Sequence, residues 1–166
     1  MEFATIDPAT NKVEKKFEFD TKEAIEQKIN KANTAYSEWR KLTPKERAEK
    51  LDKVADLLDE RADEFAGMLN KEMGKPLEEG KQELKSAIGA IRFYCKEAEE
   101  ALKPTLVEMG FKKAMTVYQP IGVIYSITPW NFPVGIAIRA NIQSMLAGNT
   151  VVHKPPPNTP QIGELL

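Results

Sequence analysis

The sequence predicts an α/β chain built in three stretches: a hairpin and helical layer over residues 1–104, a β-arm over 105–119, and the start of a strand-helix-strand core over 120–166. Three observations carry this. Up to about Lys103 the chain is dense in charge, and its apolar residues recur at helical spacing. Beyond Lys103 it turns β-branched, proline-punctuated and nearly free of acids. Within that second region an apolar run (Ile121 to Ile127), a stiff turn (Thr128 to Pro133), a helix-like segment and a second apolar run (Thr150 to His153) follow at the spacing of a right-handed parallel crossover.

Taken in order, Phe3 to Phe19 contains the turn residues Asp7-Pro8 and Asn11 between apolar points at Val13, Phe17 and Phe19, which suits a short hairpin. Asp20 followed by Glu23 reads as the capping pair of a first helix, whose buried face would carry Ile25, Ile29, Ala32, Tyr36 and Trp39. Thr43, Pro44 and Glu46 form a capping box with proline at the first helical position. The helix they open should run through Leu51, Val54, Leu58, Ala62, Phe65, Met68, Leu69 and Met73 to a left-handed cap at Gly74. Pro76 restarts a third helix with Leu84, Ala87, Ile88, Ile91, Cys95 and Ala98 on its buried face. Thr105 to Met109 and Ala114 to Tyr118, separated by Gly110 and Lys112-Lys113, read either as an arm that pairs with another subunit or as a plain edge hairpin.

Ile121 to Ile127 is apolar on both faces of its pleat, as a central parallel strand covered by helices would be. Pro133 suits the first turn of the next helix, which closes at Gly148. Lys154-Pro155-Pro156-Pro157-Asn158 is a rigid turn ahead of a helix capped by Thr159 with Pro160 in its first turn. In such a unit ligands sit beyond the carboxyl ends of the strands, where both turns lie.

Composition narrows the function. Twenty-four basic against 25 acidic residues leave a formal net charge of -1, so no global field favours nucleic acid or an anionic membrane. No apolar run approaches the roughly 18 residues of a membrane span and no secretory leader is visible, which places the protein in the cytoplasm. One cysteine and one histidine supply neither a disulfide framework nor a zinc site, so no metal is expected. Neither G-x-G-x-x-G nor G-x-x-x-x-G-K-[ST] occurs. Lys154 is then either a solvated lysine or a point charge for a ribose hydroxyl or phosphate, and Asn131 either an Asx-type cap or a donor to a developing oxyanion. Cys95 on a core-facing helix phase and His153 on an apolar strand read as structural.

The run Gln119-Pro120-Ile121-Gly122-Val123, then Thr128 to Pro133, Leu146 to Val152 and Lys154-Pro155, resembles the aldehyde dehydrogenase superfamily over the whole chain. Glu72-Met73-Gly74-Lys75-Pro76 is similar to the family's E-x-G-K-P segment. Asn158-Thr159-Pro160, together with Arg139 eight residues after Asn131, resembles the succinate-semialdehyde dehydrogenase branch. The resemblance implies the first part of a Rossmann-like NAD(P)-binding domain, with NAD or NADP as cofactor and an aldehyde as substrate. It implies Asn131 as the oxyanion-hole asparagine and Ile127, Thr128, Pro129 and Trp130 as a wall of the coenzyme cleft. Lys154, with Pro156 and Pro157 in its turn, would hold the adenosine ribose or its 2′-phosphate. NAD-preferring members often carry glutamate where this chain has Pro157, so NADP should be tolerated at least as well as in those relatives. Arg139 could grip a substrate carboxylate or be a surface arginine.

The family's nucleophilic cysteine and general-base glutamate have no counterpart among these residues, so the chain alone is expected to be inactive. The expectation is the front part of a homo-oligomeric enzyme whose nucleophile comes from a second polypeptide. The alternative is a catalytically inactive regulatory fragment that pairs with full-length subunits.

Overall fold

The computed structural model describes residues 2–108, 110 and 113–166. Strands β1 (Glu2–Asp7) and β2 (Lys12–Glu18) form an antiparallel hairpin turned at Asn11 and closed by stacking of Phe3 on Phe17, with ring centroids 5.3 Å apart. Four helices follow: α1 (Lys22–Trp39), α2 (Pro44–Glu60), α3 (Ala62–Met73) and α4 (Leu77–Ala101). The arm has short paired strands, β3 (Thr105–Leu106) and β4 (Met115–Thr116). Met109 and Lys112, which the sequence assigns to this arm, lie outside the described residues. The core unit is β5 (Val123–Ile127), α5 (Pro133–Leu146), β6 (Thr150–Lys154) and α6 (Pro160–Leu165), with β5 and β6 parallel.

The locally encoded boundaries fall where the residues place them. Thr43 and Glu46 make the reciprocal capping box of α2. Gly74 caps α3 with φ of 71°, a conformation that costs glycine little. Gly148 follows α5 at φ of 96°, and a Cβ there would lie 2.0 Å from an Arg47 guanidinium nitrogen.

Four expectations are corrected. Asp20 does not cap α1: Thr21 does, accepting from the Ala24 amide at 3.2 Å, while Asp20 pairs with Lys28. The helix expected from Pro44 to Met73 breaks at Arg61, whose ψ of 14° ends α2. Phe65 and Leu69 are buried as the expected stripe requires, together with Ala66 and Glu72, while Ala62 is half-buried. Ile25 and Ile29 are each 45% exposed, so α1 docks only through its second half. There Tyr36 donates to the Pro120 carbonyl and Trp39 to that of Met145. Finally, β5 begins at Val123, two residues later than the apolar run suggests, with Ile121 exposed; Tyr125 and Ile127 are exposed on the strand itself.

The core lies where α2, α3 and α4 meet α5. Phe65, Leu69, Leu84, Ile91, Val134 and Ile142 are each almost wholly buried there. Buried Asn149 secures the start of β5, its Oδ1 accepting from the Ile121 and Gly122 amides at 2.7 and 3.1 Å. The strands that lead to the two turns are thus anchored on the helical layer.

Candidate active site

Parallel register sets Ile127 beside Lys154 and Ser126 beside His153, so the turns after β5 and β6 emerge side by side. Two buried or half-buried groups brace them. The Thr128 hydroxyl lies 2.9 Å from His153 Nε2, and the Thr128 amide donates to the Lys154 carbonyl. Pro156 is buried beneath the second turn. Exposed on top are Ile127, Pro129, Trp130, Lys154 and Pro157. The Lys154 ammonium has no ion-pair or side-chain hydrogen-bond partner among the described residues. An apolar, partly aromatic ledge beside an unpaired cation suits a nucleotide with its phosphate, so this chain's residues fit a dinucleotide.

Asn131 follows Trp130 and is exposed. It does not cap α5: the N-cap is Phe132, which supplies no side-chain acceptor. Among the described residues its side-chain amide has no hydrogen-bond partner, whereas its backbone carbonyl accepts from Lys75 Nζ at 3.1 Å. The amide is therefore free to donate outward. Past Asn131, Phe132 lines a cavity of about 470 Å³ between α4 and α5, together with Lys75, Gln82, Ser86, Ile136 and Arg139. Arg139 is exposed at this cavity and donates to the Ser86 hydroxyl at 3.1 Å. The turn thus divides an apolar ledge from a cavity lined by two cations, Lys75 and Arg139, and two carboxylates, Glu79 and Glu83, and Asn131 stands at the division.

Two glutamates to which sequence reasoning gave no role hold this arrangement. Glu83 on α4 accepts from the Val134 and Gly135 amides at 3.0 and 2.9 Å, capping α5 from another helix. Glu72 on α3 does the same for α6, accepting from the Gln161 and Ile162 amides at 2.9 Å and from the Thr5 hydroxyl. Thr159, expected as that cap, forms no cap hydrogen bond, and its buried hydroxyl is unpartnered among the described residues. Both helices open with proline, a visible signal, but nothing local names a partner so distant in sequence.

Cys95 and His153 sit as packed groups. Burial pushes the Cys95 thiol up to about 11, so thiolate, the nucleophilic form, is scarce at neutral pH. Burial holds His153 below its ordinary 6.5. A depressed folded value means that its contribution to stability is present above pH 6.5 and is lost as pH falls through the lower folded value. His153→Gln should remove this dependence. Urea midpoints are expected to show wild type losing stability relative to the variant as pH falls from 7.5 to 5. A constant difference across that range would contradict it.

The strand-end ledge, the outward amide and the adjoining cavity thus meet at the carboxyl ends of the two parallel strands of an α/β core. The chain belongs to the aldehyde dehydrogenase family, whose model matches residues 1–166. It is 35% identical to a succinate-semialdehyde dehydrogenase [NADP(+)] of Mycobacterium leprae, over 97% of this chain and 36% of the relative. A probable succinate-semialdehyde dehydrogenase [NADP(+)] of Synechocystis is 34% identical, with the same coverage. The Streptococcus pyogenes succinic semialdehyde dehydrogenase, solved in complex with NADP+, superposes with a TM-score of 0.93 and 30% identity over 98% of this chain and 36% of its own. The chain therefore spans about a third of the length of these relatives.

Proposed function

We infer that this chain is the coenzyme-side part of an NADP-accepting succinate-semialdehyde dehydrogenase, in which Asn131 supplies half of the oxyanion hole. The observation that carries this is the exposed Asn131 amide, without a hydrogen-bond partner among the described residues, between the Trp130 ledge and the Arg139 cavity. Ile127, Pro129 and Trp130 would form one wall for the dinucleotide, braced by Thr128, and Lys154 would pair with its ribose or 2′-phosphate beside Pro156 and Pro157. The chemistry supplied by bound NADP is hydride acceptance. Asn131 Nδ2 would donate to the carbonyl oxygen as negative charge develops on it, a contact stronger in the transition state than in the ground state. Arg139, steadied by Ser86, would orient the distal carboxylate of succinate semialdehyde.

The attacking thiolate and general base would lie outside these 166 residues, which would be inactive by themselves. The exposed apolar residues Leu106, Met115, Val117 and Tyr118 suit the β-arm to a subunit contact in a homo-oligomer. Among the described residues no helix is long and apolar enough to cross a membrane, and a cytoplasmic setting belongs to the same reading.

Mixing the chain with a polypeptide carrying the remaining length of a family member should produce aldehyde-dependent NADPH that neither partner forms alone. Activity of the chain alone, or none in a mixture shown by native mass spectrometry to assemble, would refute the reading; the latter result is what an inactive regulatory fragment would give. In the active mixture, Arg139→Leu should raise KM for succinate semialdehyde about tenfold or more, the worth of one charge-assisted pair, and change a neutral aldehyde by less than about threefold. Equal losses on both substrates would assign Arg139 to packing.

A further inference from the structure

A buried lysine and glutamate lie directly beneath the Asn131 turn. Lys75 follows the left-handed cap of α3, and Glu83 sits on the second turn of α4. Their side chains are 7% and 2% exposed and form an ion pair. Withdrawing both charges from water offsets much of their attraction, so such a pair is a poor source of net stability. Its geometry is what distinguishes it.

Glu83 Oε1 receives the amides of Val134 and Gly135 in the first turn of α5, groups that have no partner within the helix. A negative charge there also meets the positive end of the helix dipole. Glu83 Oε2 takes the Lys75 ammonium, which in turn donates to the Asn131 carbonyl and lies 4.2 Å from the centroid of the Phe132 ring. The two side chains therefore grip the backbone immediately after the Asn131 side chain, from the Asn131 carbonyl to Gly135, and leave its amide untouched.

We propose that Lys75 and Glu83 are positioning residues of the oxyanion hole, fixing the 131–135 backbone so that the Asn131 amide points out of the turn at a set height between ledge and cavity. This rests on the reading of Asn131 as an oxyanion donor. An oxyanion donor works only when preorganised, since a displacement of about 1 Å costs on the order of a hundredfold in rate. A neutral turn stapled only by apolar contacts would leave the first amides of α5 to water and the turn free to shift. The charges are thus used for direction, with little return in stability.

Amide hydrogen exchange on the 166-residue chain tests the grip without any activity. In wild type, Val134 and Gly135 should be protected like the helix interior; free exchange at both would overturn the proposal. In the isosteric neutral variant Lys75→Met/Glu83→Gln, their exchange should rise about tenfold or more while Ile91 and Leu69 keep their wild-type rates. No rise, or an equal rise throughout, would overturn it, and should the variant fail to fold, the wild-type measurement still decides. In the complemented enzyme the same variant should lower kcat per titrated active site about tenfold or more with coenzyme KM unchanged. A purely structural pair would lower the number of active sites and leave kcat per site as it was. If wild type shows no activity in a mixture shown by native mass spectrometry to assemble, the oxyanion reading fails, and the exchange rates judge the grip separately.

Discussion

Glu72→Ala is expected to destabilise the chain by about 3 kcal/mol, the sum of two buried donors and one half-buried donor left without an acceptor less the relief of a buried charge. Glu72 is only 5% exposed and joins three elements: it receives Thr5 from β1, and Gln161 and Ile162 from the first turn of α6. Thr5 is fully buried, so its hydroxyl finds no water when the carboxylate is removed. Burial drives the Glu72 pKa above the ordinary carboxylate value while its three donors pull it down, and this contest sets the behaviour of Glu72→Gln. The amide keeps one acceptor and sheds the charge, so its cost should be nearer 1 kcal/mol. Urea unfolding measures both; exposed Glu99→Ala serves as a control expected within about 0.5 kcal/mol of wild type. A Glu72→Ala chain as stable as wild type would mean that α6 is held by Ile162 packing alone.

The second large effect concerns coenzyme choice. Pro157→Glu should weaken NADP binding about ten- to a hundredfold while NAD changes by less than about threefold. The exposed turn would then carry a carboxylate facing the 2′-phosphate that Lys154 is proposed to hold. Lys154→Met should produce the complementary loss, again larger for NADP, because it deletes the unpaired cation without adding repulsion. Quenching of Trp130, which stands exposed on the ledge, would report binding of either coenzyme at the proposed wall. Equal losses of NAD and NADP in both variants would place the 2′-phosphate elsewhere.

These experiments bear on parts of the molecule that differ in how openly the sequence displays them. The Thr128 to Pro133 turn is visible because proline, an apolar strand and a helix start announce it over a dozen residues. The capping box at Thr43 and the left-handed glycines at 74 and 148 are likewise written in adjacent residues. Less legible is the break at Arg61, where neither glycine nor proline interrupts the apolar pattern and the buried stripe continues through Phe65 and Leu69 into α3. The exposed Ile25 and Ile29 show the converse, a helical stripe whose periodicity says that a face is apolar without saying whether anything covers it.

The backbone of the site, two parallel strand ends, a proline-stiffened turn and an asparagine, follows from local chemistry, because strand, turn and cap preferences act over a few residues. What holds that turn does not follow from it. Glu83 meets Val134 across 51 positions and Glu72 meets Gln161 across 89, and no propensity or spacing rule operates over such separations. A buried carboxylate finds its donors only once the helices have packed, so the residues that aim Asn131 emerge from the assembled core and the residue being aimed from the linear chain.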